Sequence, residues 1–128
     1  MSRSREALTF EYQQLARLAA EYQRRIDLLN AALEEISNAK TAVSELESLQ
    51  NDEEMLVPLG AGVMARAAYR RGRLLVNIGS GVIVEKDFDE VKSFLESREK
   101  TVRDTINKLS LEYQKILNRL AEIEKQLG

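Results

Sequence analysis

Leu56-Val57-Pro58-Leu59-Gly60-Ala61-Gly62-Val63, followed by Asn77-Ile78-Gly79-Ser80-Gly81-Val82-Ile83-Val84-Glu85-Lys86, is the stretch that decides the fold. Short apolar and β-branched runs bounded by paired glycines read as strands joined by tight turns. Four strands are predicted, at about 55–59, 62–69, 73–78 and 82–85. Leu74, Val76 and Ile78 alternate onto one face, as do Val63, Ala65, Ala67 and Tyr69. Gly60-Ala61-Gly62 and Gly79-Ser80-Gly81 supply tight turns and Arg70-Arg71-Gly72 a third, because glycine takes a positive φ without a Cβ penalty. The segment 55–85 therefore reads as two β-hairpins in tandem.

Outward from this hub, both flanks carry heptads. Leu8, Tyr12, Leu15, Ala19, Tyr22, Ile26, Leu29, Leu33 and Ile36 recur at alternating spacings of four and three, the a/d pattern of a coiled coil. The stripe continues, with a shift near Lys40, through Ala39, Val43 and Leu46. On the other side Phe88, Val91, Leu95 and Val102 lead into Ile106, Leu109, Tyr113, Ile116, Leu120, Ile123 and Leu127. Between Leu95 and Ile106 lies a heptad plus four, a stutter that relaxes the supercoil locally. The helices are predicted over about 5–50 and 87–127, each arm extending roughly 60–70 Å at ~1.5 Å per residue.

Local signals mark the limits. The first heptad stops in Asn51-Asp52-Glu53-Glu54, and Pro58 cannot lie in a helix interior. Asp87-Phe88-Asp89-Glu90 reads as a capping box, with Asp87 accepting from first-turn amides while Glu90 reaches back. The fold class is α+β, mostly α: an antiparallel coiled-coil helical hairpin with two β-hairpins at the bend. The 1–128 stretch forms one domain, with no linker-like segment.

Composition narrows the class. Hydrophobic residues make up 44% and charged residues 31% of the 128, which suits exposed helices with narrow seams better than a thick globular core. No run is long and apolar enough to span a bilayer, and Met-Ser-Arg-Ser-Arg-Glu at the start lacks the apolar segment of a signal peptide, so a cytoplasmic, non-membrane protein is expected. Without cysteine there are no disulfides and no thiolate chemistry. The net charge of −2 conceals a split: Glu6 to Glu54 carries eleven acids and four bases, whereas Met55 to Val84 carries Arg66, Arg70, Arg71 and Arg73 and no acid. Arg3 and Arg5 add two positive charges, and Glu85 to Gly128 is nearly balanced.

Short hairpins with apolar residues on both faces leave edges that pair with other chains, so the hub is expected to drive oligomerisation. Val57, Leu59, Gly60, Gly62, Val63, Val76, Ile78, Gly79, Gly81, Val82 and Val84 form this assembly surface, the strands joining those of other subunits in a shared sheet or barrel. Paired arms then bring both chain ends to one tip, far from the hub.

Catalysis has little support: there is no histidine or cysteine, and the carboxylates lie on helix faces where solvated charge is the ordinary explanation. The chain is not expected to be an enzyme or to hold a cofactor. Gly60-x-Gly62 and Gly79-x-Gly81 are not phosphate loops, since strand-like sequence rather than a helix follows each. Asp87, Asp89 and Glu90 are better explained by helix capping than by a metal site.

The two glycine motifs, in this order between two long heptad segments, resemble the alpha-subunit family of archaeal prefoldins along essentially the whole chain. The resemblance implies two alpha and four beta subunits joined through their strands into an intersubunit β-barrel, with coiled coils hanging from it. It further implies an ATP-independent holding chaperone that captures unfolded polypeptides between its tips and delivers them to a group II chaperonin. The residues agree with such a role, because a client surface needs apolar groups that the seam does not use. Phe10 and Leu18 fall beside the first stripe and Leu111 and Leu117 beside the second; antiparallel pairing places Phe10 near Leu127 and Leu18 near Arg119. Phe10, Leu18, Leu111, Leu117 and Leu127 are the candidate client-binding residues. The alternative for the off-seam positions is a widened seam.

Two other readings compete. The basic Arg70-Arg71-Gly72-Arg73 tip could contact phosphates, although Tyr69 is the one interleaved aromatic and the net charge is negative, which argues against nucleic acid. The chain could also be a coiled-coil spacer or scaffold, a reading that apolar groups at the tips disfavour.

Overall fold

The computed structural model describes residues 4–128, in the order α1 (Arg5–Ser48), β1 (Glu53–Gly60), β2 (Val63–Tyr69), β3 (Leu74–Gly79), β4 (Val82–Lys86) and α2 (Phe88–Leu127). Arg3 and the start of the stretch read above for a missing signal segment lie outside the described residues. The chain divides into two compact units: one built from the chain up to Glu35 with Glu99–Gly128, the other from Ile36–Arg98.

In the first unit the helices run antiparallel along their heptad stripes. Leu8 and Ile123 are 4% and 0% exposed, and Ala19, Ile26 and Ile116 are buried with them. Each large aliphatic group buried this way contributes about 1.5–3 kcal/mol, enough to hold a two-helix seam that lacks a thick core. Ser4 caps α1, its hydroxyl accepting from the Ala7 amide at 3.1 Å.

In the second unit Val43 and Val91 are the buried seam residues. α1 stops at Ser48, and Asp52 at φ 63° turns the chain into β1 two residues before the predicted start; the Asp52 amide donates to Tyr69 O at 2.7 Å. The Asp87 capping box forms as expected: the Glu90 amide donates to Asp87 Oδ1 at 2.8 Å and the Asp87 amide to Glu90 Oε1 at 3.3 Å. The bond from the Glu90 amide, foremost, holds the Asp87 carboxyl below its ordinary range. A carboxylate whose folded value is lowered stabilises above its ordinary value and loses that contribution as pH falls through the lowered one. Protection of the Glu90 amide against hydrogen exchange should therefore decline on acidification below about pH 4, and Asp87→Asn should flatten that dependence.

β1 pairs with β2 and β3 with β4, both antiparallel, as two separate two-stranded sheets. Both turns place two successive residues at positive φ, Ala61 (51°) with Gly62 (80°) and Ser80 (52°) with Gly81 (76°), the requirement of a type I′ hairpin. Gly60 and Gly79 precede them at 115° and 116°, where the register shifts in each hairpin. A side chain at Gly60 would be strained by about 1–3 kcal/mol, whereas Ala61→Asn, placing a residue that tolerates this conformation, should gain about 0.5–1 kcal/mol. Urea unfolding of Gly60→Ala and Ala61→Asn should show midpoints displaced in opposite directions.

The segment 70–73 corrects the sequence reading. It is not a hairpin tip but the connector between β2 and β3, which do not pair. The Arg71 amide donates to Asn51 Oδ1 at 2.9 Å, and its guanidinium donates to Glu47 O at 2.9 Å and to Leu49 O. These bonds satisfy carbonyls left open at the end of α1 and draw the connector back onto the helix terminus. Arg71 also lies 5.7 Å from the Phe88 ring centre.

Candidate functional site

Two surfaces are left with apolar groups that the fold does not consume. On the hairpins, one set of side chains is half-buried, namely Met55, Val57, Ala65, Ala67, Leu74, Val76 and Val84. Because strand side chains alternate, the opposite face turns outward. Leu56 and Met64 of the first hairpin, and Leu75 and Ile83 of the second, lie on it and are 58% to 70% exposed, while Leu59, Val63, Ile78 and Val82, which share the alternation of the half-buried residues, are 48% to 65% exposed beside the turns. These residues correspond one to one at a constant offset of nineteen, with matching turn and matching register shift. The two hairpins are copies of one design presenting the same apolar outline. Their charges differ: Leu56 pairs across the strands with Arg66, and Leu75 with Glu85. An open groove of about 520 Å³ beside β1, lined by Leu46, Leu49, Met55 and Leu56, adds apolar surface.

Of the predicted assembly residues, Leu59, Val63, Ile78 and Val82 lie exposed, and Gly60, Gly62, Gly79 and Gly81 form the turns. Val57, Val76 and Val84 are half-buried and support the inner faces. Leu56, Met64, Leu75 and Ile83 were not singled out by sequence, although strict alternation about Val57 and Val76 would have found them.

The second surface belongs to the unit containing the chain ends. Its register is held by polar pairs: Arg119 donates to both carboxylate oxygens of Glu11, at 2.7 and 2.9 Å, and to Glu122 at 3.0 Å. These partners, Glu11 first, raise the Arg119 pKa, keeping the guanidinium charged. The Tyr12 hydroxyl donates to Glu124 at 2.8 Å, a bond that raises its pKa above the ordinary phenol value. Arg119 reaches Glu11, seven residues from the Leu18 that sequence placed beside it, whereas the Tyr12–Glu124 bond lies within one residue of the offset that places Phe10 near Leu127. Heptad spacing defines a seam but not its axial offset.

Of the predicted client residues, Phe10 is 62%, Leu111 67% and Leu18 40% exposed. Leu117 is half-buried, as a widened seam would leave it, and Leu127, a stripe residue, is half-buried as well. Leu28, 66% exposed, was missed. Its signal was available in Leu28-Leu29, since consecutive residues on a helix cannot both face one seam.

Among the described residues, no group of three or more His, Cys, Asp or Glu is placed to hold a metal, and no helix is long and apolar enough to cross a membrane. Three of the four hub arginines already have partners: Arg71 as above, Arg73 with Glu90 at 3.5 Å, and Arg66 with Glu54 at 3.7 Å.

Comparison with known proteins agrees with this architecture. The family described as Prefoldin subunit matches residues 15–128. Over 128 residues the chain is 38% identical to prefoldin subunit alpha of Thermofilum pendens, spanning 99% of each. It is 34% identical over 125 residues to prefoldin subunit alpha of Pyrococcus horikoshii, covering 96% of this chain and 80% of that one. A chain from the cryo-EM structure of filamentous PFD of Methanocaldococcus jannaschii shares the fold, with a TM-score of 0.78 over 92% of this chain and 98% of that one at 13% identity. With the heptads, the paired hairpins and a match along nearly its whole length, the chain belongs to the prefoldin family.

Proposed function

We propose that this chain is an alpha-type subunit of a holding chaperone that works without nucleotide. The observation that carries this reading is the exposure of Phe10 and Leu111, 62% and 67%, on helices whose seam is complete without them. Apolar groups that cost the fold nothing to leave outside offer an unfolded chain weak and adaptable burial, at about 25 cal/mol per Å². Several arms acting together supply the avidity that one lacks.

The hairpins provide the means of bringing arms together. Their exposed outer faces and free strand edges fit union with other subunits in a β-barrel, and two copies of this chain with four beta subunits is the assembly we infer. Client polypeptides would pass from it to a group II chaperonin in the cytoplasm. A spacer without binding function would have no use for the outward Phe10 and Leu111, and a phosphate-binding tip is disfavoured because Arg71, Arg73 and Arg66 are engaged within the chain.

The test is native mass spectrometry of the chain, alone and co-expressed with a beta-type prefoldin subunit, followed by an aggregation assay without nucleotide. A hexamer of two and four subunits that suppresses aggregation is expected. An assembly that leaves aggregation unchanged would refute holding and leave the spacer.

A further inference from the structure

Phe10 and Leu28 lie eighteen residues apart on one uninterrupted helix, a separation of five turns, so both occupy the face of α1 turned away from the seam. Both are more than 60% exposed. Between them that face carries Arg17, Glu21, Arg24 and Arg25, all exposed. Three bases against one acid is the reverse of the helix as a whole, where Arg5–Ser48 has eight acids and five bases. The outer face is therefore a basic strip ended at both sides by an exposed apolar group, within the unit that carries the chain ends.

We propose that this strip is a second client-binding element, one that takes an extended polypeptide with two apolar side chains about eight residues apart and acidic residues between them. The spacing follows from geometry: eighteen helical residues rise about 27 Å, and an extended chain covers that in about eight residues. The charge requirement follows from the arginines, which meet carboxylates favourably and repel a basic segment. The same charges disfavour a second copy docking face to face, because both strips would be basic. Phe10 joins the strip to the tip surface, so one client segment can hold both. This inference rests on the holding function proposed above and specifies which segments are retained.

The test uses the full chain assembled with a beta-type subunit and three fluorescently labelled peptides, read by anisotropy at low salt. One carries phenylalanines eight positions apart with two aspartates between; the second has the same composition with the phenylalanines three apart; the third has lysines for the aspartates. The first should bind about tenfold more tightly than either of the others, the scale of one additional partly buried leucine contact or of the added charge attraction. Leu28→Ser should abolish the difference between the first and second peptides, and Arg24→Glu the difference between the first and third. Equal binding of all three peptides by a complex that still suppresses aggregation would overturn this inference alone. So would a Leu28→Ser variant that retains the preference, or one whose only effect is on the native mass of the chain by itself, which would assign the face to a second copy. A complex that binds no peptide and suppresses no aggregation would remove the holding function and the strip together.

Discussion

Charged substitution on the outward hairpin face should dissolve the assembly while leaving the chain folded. Met64 and Ile83 are 59% and 60% exposed and occupy corresponding places in the two hairpins. Lysine at either is solvated in the isolated chain, so far-UV circular dichroism should report undiminished helix. Once a neighbouring subunit covers the face, the ammonium must be desolvated without a partner, at a cost of several kcal/mol. A cost of about 4 kcal/mol weakens association roughly a thousandfold, which native mass spectrometry would register as loss of the oligomer. Because the hairpins share one outline, Met64→Lys and Ile83→Lys should act to a similar degree, and the double variant should be monomeric at micromolar concentration. Full retention of the oligomer in the double variant would show that the hairpin faces do not carry the assembly. Val76 makes a less discriminating probe: it packs opposite Val84 on the half-buried face, and a charge there threatens the hairpin itself.

The second large effect is expected at the chain ends. Phe10→Ser with Leu111→Ser should leave the oligomer and its melting temperature nearly unchanged, since neither side chain contributes to the seam. Client affinity should nevertheless fall by at least about tenfold for each anchor lost, and loss on every copy of this chain compounds through avidity. The measurement is the chaperone concentration needed to halve light scattering by an aggregating client. An unchanged concentration would mean that clients are held elsewhere. Leu117→Ser serves as the contrast: this residue is half-buried, so its replacement should lower the melting temperature and report on packing.

How much of this was legible beforehand depends on the range of the interaction. The heptad stripes, the turns at Gly60-Ala61-Gly62 and Gly79-Ser80-Gly81 and the Asp87–Glu90 capping box all act within a few residues, and each stands where periodicity or capping chemistry put it. The exposure of Phe10 and Leu111 was equally visible, because a residue off a regular stripe is off the seam wherever the partner helix lies. The axial register was not. It depends on Arg119 meeting Glu11 and Tyr12 meeting Glu124, contacts between residues more than a hundred positions apart, and a heptad pattern is indifferent to sliding. The place of Arg70-Arg71-Gly72-Arg73 was also hidden, because the deciding partners are carbonyls at the end of α1 and the side chain of Asn51, not the arginines themselves. Sequence alone thus determined which residues form helices and hairpins, since that is set by local backbone preference and burial periodicity. Only the tertiary structure decided how the helices are offset, what the arginines hold and which hairpin face looks outward, because those follow from contacts between segments distant in the chain.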